Sequence, residues 1–134
     1  MSYTEEERAF LDAHTWGVLA TGRRDGSPQQ SMVGYAVDGE DRVLVSAKAY
    51  TAKWRNALRQ PRVSFTVPDG RTHLVIYGTA ETIDADPERA ELTADVFAAL
   101  SGQNRPDPAT LGELLDQQQR TVLRITPEKV LFHP

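Results

Sequence analysis

Three aspartate–glycine pairs, Asp25-Gly26, Asp38-Gly39 and Asp69-Gly70, fall between short runs rich in β-branched and aromatic residues. Asp-Gly between such runs is a strong hairpin signal, because glycine reaches the left-handed backbone that tight turns need and aspartate tolerates its neighbourhood. Three hairpins in one short chain make consecutive strands antiparallel. Residues 16–21, 27–37, 42–47, 63–67 and 71–83 read as strands, with Gly78 marking a bulge or a close backbone approach inside the longest. Residues 121–126 and 130–132 read as two more, separated by Pro127. Six or seven strands in 134 residues protect their edges best by closing on themselves. The expected class is therefore mostly β: an antiparallel six- to seven-stranded split β-barrel with flanking helices.

Helix signals punctuate the strands. Thr4-x-x-Glu7 is a capping box that opens a short first helix. Thr51 is a plausible N-cap for a helix over residues 51–58, which closes before Pro61. Asp86-Pro87 starts a third helix with proline at its first position, and Leu92, Val96, Ala99 and Leu100 predict its apolar stripe. Residues 101–109 form a Gly/Pro/Asn loop, and Thr110-x-x-Glu113 predicts a capped last helix reaching about Gln119.

The length bounds the chain to one domain over residues 1–134, large enough for a real core. Without cysteine there is no disulfide, thiolate metal site or cysteine nucleophile, which fits a reducing cytoplasm. No apolar run reaches the ~20 residues of a membrane span. The acidic first seven residues are the opposite of a targeting peptide. No membrane partner is expected.

Charge is segregated along the chain. Residues 42–68 hold Arg42, Lys48, Lys53, Arg55, Arg59 and Arg62 and no carboxylate, whereas the whole chain carries a formal charge of −4. Such a window is either a solvated basic face or a surface for an anion. Its place on the backbone favours the anion. Lys53 falls in the first turn of the predicted helix, where free amides and the dipole already attract negative charge and a cation is unfavourable for the helix alone. Arg59 and Arg62 near the other end suit the dipole.

Other chemistry is missing. His14, His73 and His133 have no zinc-like spacing, so no metal site is expected. There is no phosphate-cradling P-loop, no dinucleotide fingerprint and no nucleophile elbow. The acids in helix first turns are explained by the dipole. An enzyme built this way borrows its hard chemistry from a cofactor. Nucleic-acid binding is not expected: Tyr50 and Trp54 are few aromatics to stack bases beside the basic residues, and the chain is acidic overall.

Four segments in order carry a resemblance: Gly17-Val-Leu-Ala-Thr21; Asp25-Gly26-x-Pro28-x-x-Ser31; Lys53-x-x-Asn56-x-x-x-x-Pro61-Arg62-Val63-Ser64; and Gly78-Thr79-Ala80-Glu81. With the closing strand they resemble the pyridoxamine-5'-phosphate-oxidase-like split-barrel superfamily of flavin and deazaflavin oxidoreductases, in particular its branch using coenzyme F-420. That branch often reads Asn-Leu-Arg-Arg-Asp-Pro-Arg where this chain has Asn56-Ala57-Leu58-Arg59-Gln60-Pro61-Arg62. The chain is short for a true pyridoxamine-phosphate oxidase, and that activity is not carried over.

The resemblance implies a cofactor phosphate held by Lys53, with Thr51 and Ala52 offering hydroxyl and backbone contacts and Asn56 part of the same motif. Lys48 or Arg55 would hold a negative tail. The ring would lie along Gln30, Ser31, Met32 and Val33 and along Val45, Ser46 and Ala47. It implies a homodimer with the cofactor groove at the interface, where His73 would arrive from the second copy. The implied activity is reduction of an electron-poor double bond in a small-molecule substrate, with solvent, Tyr35 or His73 as proton donor. FMN on the same fold, and a non-catalytic flavin- or deazaflavin-binding protein, are the alternatives.

Overall fold

A computed structural model describes residues 2–134, with Met1 outside them. The elements run α1 (Glu5–Asp12), β1 (Trp16–Gly22), β2 (Pro28–Val37), β3 (Val43–Lys48), α2 (Ala52–Arg59), β4 (Arg62–Asp69), β5 (Thr72–Ile83), α3 (Glu88–Ser101), α4 (Gly112–Gln117) and β6 (Arg120–His133). The six strands close a barrel in the order β1-β2-β3-β6-β5-β4, every neighbouring pair antiparallel. The expected mostly β barrel with flanking helices is therefore what this sequence forms.

Alternation builds the wall. Along β4, Val63, Phe65 and Val67 point inward while Ser64 and Thr66 point out. Leu19, Tyr35, Val45, Phe65, Leu74, Ile76, Leu123 and Ile125 fill the interior, with the Tyr35 and Phe65 rings edge to face at 5.1 Å. Truncating a fully buried ring such as Phe65 to alanine would cost about 4 kcal/mol. Gly78 faces the extra residue of β6: the register slips between Tyr77 and Gly78, and a Cβ on Gly78 would lie 2.3 Å from the Thr126 carbonyl oxygen. The bulge expected at Gly78 is thus present because only glycine lets the two backbones approach.

The Thr4–Glu7 capping box forms as expected, with Glu7 N–H donating to Thr4 Oγ1 at 3.1 Å and Thr4 N–H to Glu7 Oε1 at 2.8 Å. Several local expectations are corrected. In the second hairpin turn the left-handed residue is Asp41 (φ 66°), not Gly39, because Asp38 accepts from the Glu40 and Arg42 amides and draws the loop one step further. Pro87 is the N-cap of α3 rather than its first helical residue. The buried face of α3 is Ala90, Thr93, Ala94 and Val96, while Leu92 is half-buried and Leu100 is 37% exposed. Leu100 instead covers Gly34, where a Cβ would lie 2.5 Å from its side chain.

Thr110 caps nothing. Its hydroxyl donates to the Asp107 carbonyl within a short 3-10 turn, and α4 begins at Gly112. The two C-terminal strands are one, since Pro127 sits at the bulge where no ladder bond is required of it. The loop expected over residues 101–109 is shorter, because α3 runs through Ser101 and a 3-10 turn starts at Pro108; Arg105 ties it down by pairing with Glu91 and Asp95 at 2.6 and 2.7 Å. No helix among the described residues is long and apolar enough to cross a membrane.

Candidate functional site

The β3–α2 connection sits at one rim of the barrel. Thr51 stands at the N-cap of α2, but its hydroxyl turns back to donate to the Lys48 carbonyl at 2.7 Å and caps no amide. Thr51 N–H also returns to Lys48 O, and Arg55 N–H goes to Thr51 O. The amides of Ala52, Lys53 and Trp54 are left without a partner among the described residues, so the first turn of α2 presents donors and the positive dipole end together.

Three cations converge beside it. Register pairs Lys48 of β3 with Arg120, the first residue of β6. Arg120 donates to Ser46 Oγ at 3.2 Å and to Gln118 Oε1 at 2.7 Å, and lies over the Phe97 ring at 5.8 Å. Lys53 and Arg120 line one cavity of about 250 Å³ between the outer barrel wall and α3, with Ser46, Met32, Trp16 and Phe97. Burial, then the like charges of Arg120 and Lys48, hold the Lys53 ammonium below the ordinary lysine pKa. None of the three has a carboxylate partner among the described residues, although the chain carries nineteen.

The other side of α2 borders a second, wider cavity of about 670 Å³, lined by Arg55, Arg59, Ala52, Asn56 and Tyr50 and by Arg23 and Arg24 from the β1–β2 hairpin. Its one acid, Asp25, accepts from the Ser27 hydroxyl and amide at 2.6 and 3.0 Å and makes no ion pair with the arginines. The anchor between helix and barrel is the buried Asn56. Its amide donates to Thr21 Oγ1 at 3.1 Å, and its oxygen accepts from Arg59 Nη2 at 3.1 Å. Arg59 also donates to the Gly22 carbonyl at 2.6 Å.

The structure thus gathers Met32, Ser46 and Lys53 on one cavity and Ala52, Arg55 and Asn56 on the next, with α2 between them. Gln30 and Ser31 lie on β2 near its hairpin, and Ala47 is buried at the end of β3 beside Lys48. His73 is elsewhere. It stacks on His133 at 4.6 Å, and His133 ends the strand that Arg120 begins. One copy cannot bring His73 to Lys53. Tyr35 does not serve as a proton donor to this region either: it lies inside the barrel with its hydroxyl donating to the Leu11 carbonyl at 2.6 Å, and burial pushes its pKa up. Trp54 is buried as well, leaving Tyr50 as the exposed aromatic of the basic window. Arg42 belongs to that window in sequence but pairs with Asp38 at 2.8 Å and takes no part in the cluster.

Arg23, Arg24 and Arg120 lie outside the acid-free window, so their membership was not visible in the sequence. A hairpin and a strand register bring them in. No group of three or more metal-ligating side chains is assembled among the described residues.

A family model described as pyridoxamine 5'-phosphate oxidase matches residues 3–134. Among solved structures, the conserved hypothetical protein Rv2991 from Mycobacterium tuberculosis superimposes with a TM-score of 0.78 at 26% identity, over 97% of this chain and 84% of that one. An F-420 reductase superimposes with a TM-score of 0.73 at 25% identity, over 96% of this chain and 98% of its own. The heme storage protein HutZ from Vibrio cholerae shares the fold, with a TM-score of 0.68 and 21% identity over 98% of this chain and 95% of that one. Both the six-stranded barrel and the match across residues 3–134 lead to one conclusion: this chain belongs to the pyridoxamine 5'-phosphate oxidase family of split-barrel proteins.

Proposed function

We propose that this chain is a coenzyme F-420-dependent oxidoreductase that reduces an electron-poor double bond of a small organic substrate. The observation that carries the reading is the set of seven cations around α2, none in an ion pair, with Asp25 as the one carboxylate among them. Lys48, Lys53 and Arg120 stand on one side, and Arg23, Arg24, Arg55 and Arg59 on the other. Holding so many cations around one carboxylate is unfavourable in the apoprotein and becomes favourable when an anion enters. A phosphate suits Lys53 and the free amides of α2. FMN needs little more than that. The four arginines of the wider cavity suit a longer tail with several carboxylates, which the deazaflavin coenzyme has and FMN lacks.

Lys53 would hold the phosphate, Arg55 and the hairpin arginines the tail, and Ser46, Ala47, Met32 and Gln30 the ring edge. When bound, the deazaflavin supplies a hydride. The chain's own residues orient the bound molecules and exclude water, through Trp16, Met32 and Phe97 around the Lys53 cavity.

The same reading includes a homodimer. Outward side chains form an apolar row across five strands, Met32–Val18–Thr66–Val75–Leu131, each beside the next in the register. Met32 is 64% and Leu131 39% exposed, and Met32 belongs also to the Lys53 cavity. A second copy on this row would border the site and could deliver His73 to it. Leu131→Glu should then halve the mass seen by light scattering.

The deciding experiment is a paired fluorescence titration of apoprotein with coenzyme F-420 and with FMN, repeated for Lys53→Glu. Tight binding of F-420, weak binding of FMN and loss of both in the variant support the reading, and reduction of an acceptor panel would then show turnover. Preference for FMN would move the chain to flavin chemistry. Binding of neither would end the cofactor assignment while leaving the barrel intact.

A further inference from the structure

We infer that Arg89, which lies outside both cavities, is a positioning residue for the anion site: it locks the backbone at Arg120 and thereby aims the Arg120 guanidinium at the Lys53 cavity. Arg89 projects from the first turn of α3 and its side chain is only 8% exposed. It donates to Asp86 at 2.7 Å and to Asp116 at 2.8 Å, which joins the start of α3 to α4. Its Nη1 then donates to the backbone carbonyl of Arg120 at 3.3 Å.

That carbonyl is the right place to hold. Gln119, just before it, has a positive φ of 54°, an unfavourable conformation for a residue with a side chain. A strained residue keeps its shape only when its neighbours over-determine it. Here the neighbours are the Ala49 amide donating to Gln119 O at 2.8 Å, the Thr121 hydroxyl donating to Ala47 O at 2.6 Å, and Arg89. Residues 119–121 are in this way docked along residues 47–49, beside Lys48 and the start of α2. From this dock the Arg120 side chain reaches Ser46 and faces Phe97. Asp86 and Asp116 neutralise Arg89, so it adds no free charge to the site. Its influence passes through geometry alone.

This inference rests on the anion-site reading above, and a double-mutant cycle separates the two. Coenzyme F-420 affinity is measured for wild type, Arg89→Lys, Arg120→Ala and the double variant, with Asp116→Asn as a second way to loosen the clasp at an exposed position. Thermal midpoints are recorded alongside. Arg89→Lys keeps the charge but loses the planar fork that reaches Asp86, Asp116 and the Arg120 carbonyl at once. We expect it to weaken binding about tenfold in the Arg120 background and less than about twofold when Arg120 is already alanine. Asp116→Asn should follow the same pattern with a smaller loss. Equal losses in both backgrounds would mean that Arg89 only supports the fold, and no loss in the Arg120 background would mean that it does not position the site; either overturns the inference alone. Affinity that survives both Lys53→Glu and Arg120→Ala would remove the anion site itself and the inference with it.

Discussion

Arg89 and Lys53 are both cations drawn back from solvent, and their surroundings are opposites. Arg89 has two carboxylates within 2.8 Å, and hydrogen bonds to them hold its pKa above the usual arginine value. Lys53 has no carboxylate and two cations for company, and its pKa is depressed. The same division runs through the molecule. Arg8, Arg42, Arg105 and Arg124 are paired with acids and tie elements together, whereas the cations flanking α2 are not. A folded chain has little reason to collect like charges unless something outside the chain completes them. The paired cations tie elements together, and the unpaired ones crowded around α2 mark a place for an anion from outside the chain.

The largest effect expected from breaking this division is at Lys53. Reversing its charge with Lys53→Glu should weaken F-420 binding at least about a hundredfold, on the order of 3 kcal/mol, because a charge-assisted contact becomes a repulsion. Its thermal midpoint should stay level or rise, since the variant relieves crowding with Lys48 and Arg120. A titration paired with calorimetry checks both halves.

Arg89→Ala should act mainly on stability. Leaving Asp86 and Asp116 without their partner should cost about 2 kcal/mol, below the usual value for a buried pair because both carboxylates are partly exposed. Denaturant unfolding would read this directly.

A smaller effect is carried by pH. Between the depressed value of folded Lys53 and the ordinary value of about 10.4, the unfolded chain binds more protons at this residue than the folded one. Apoprotein stability should rise with pH across that window while F-420 affinity falls, and Lys53→Arg should abolish both slopes. A paired group runs the other way. The Phe10 carbonyl first, and Asp69 next, raise the pKa of His14. Its contribution to stability is complete below about pH 6.5 and is lost as pH rises through the raised folded value. Arg105→Ala gives the smallest change: it frees an exposed pair on α3, and F-420 affinity should stay within about twofold of wild type.

Much of the barrel was legible because its signals are local. Strand alternation, the Asp25-Gly26 and Asp69-Gly70 turns, the Thr4–Glu7 box and the Gly78 bulge each follow from a few adjacent residues. The misses came where longer contacts overrode a local rule. The Thr110–Glu113 pattern was pre-empted by Asp107, which caps the 3-10 turn at Ala109. The α3 stripe shifts because the barrel surface it packs on is built from distant strands, and Leu100 is drawn onto Gly34. Tyr35 as a proton donor fails for a related reason: an aromatic on a strand faces either side equally well in sequence, and the closed barrel places this one inside.

Residue order alone was enough to close a small antiparallel barrel and to gather positive charge at the start of its second helix, since hydrophobic period, turn chemistry and helix-end charge act over a few residues. Which charges remain free was settled by the folded arrangement. Arg42 left the cluster through Asp38, and Arg23, Arg24 and Arg120 joined it through a hairpin and a strand register. Charge balance depends on distance in space, and the order of residues along a chain does not specify that distance until the barrel has closed.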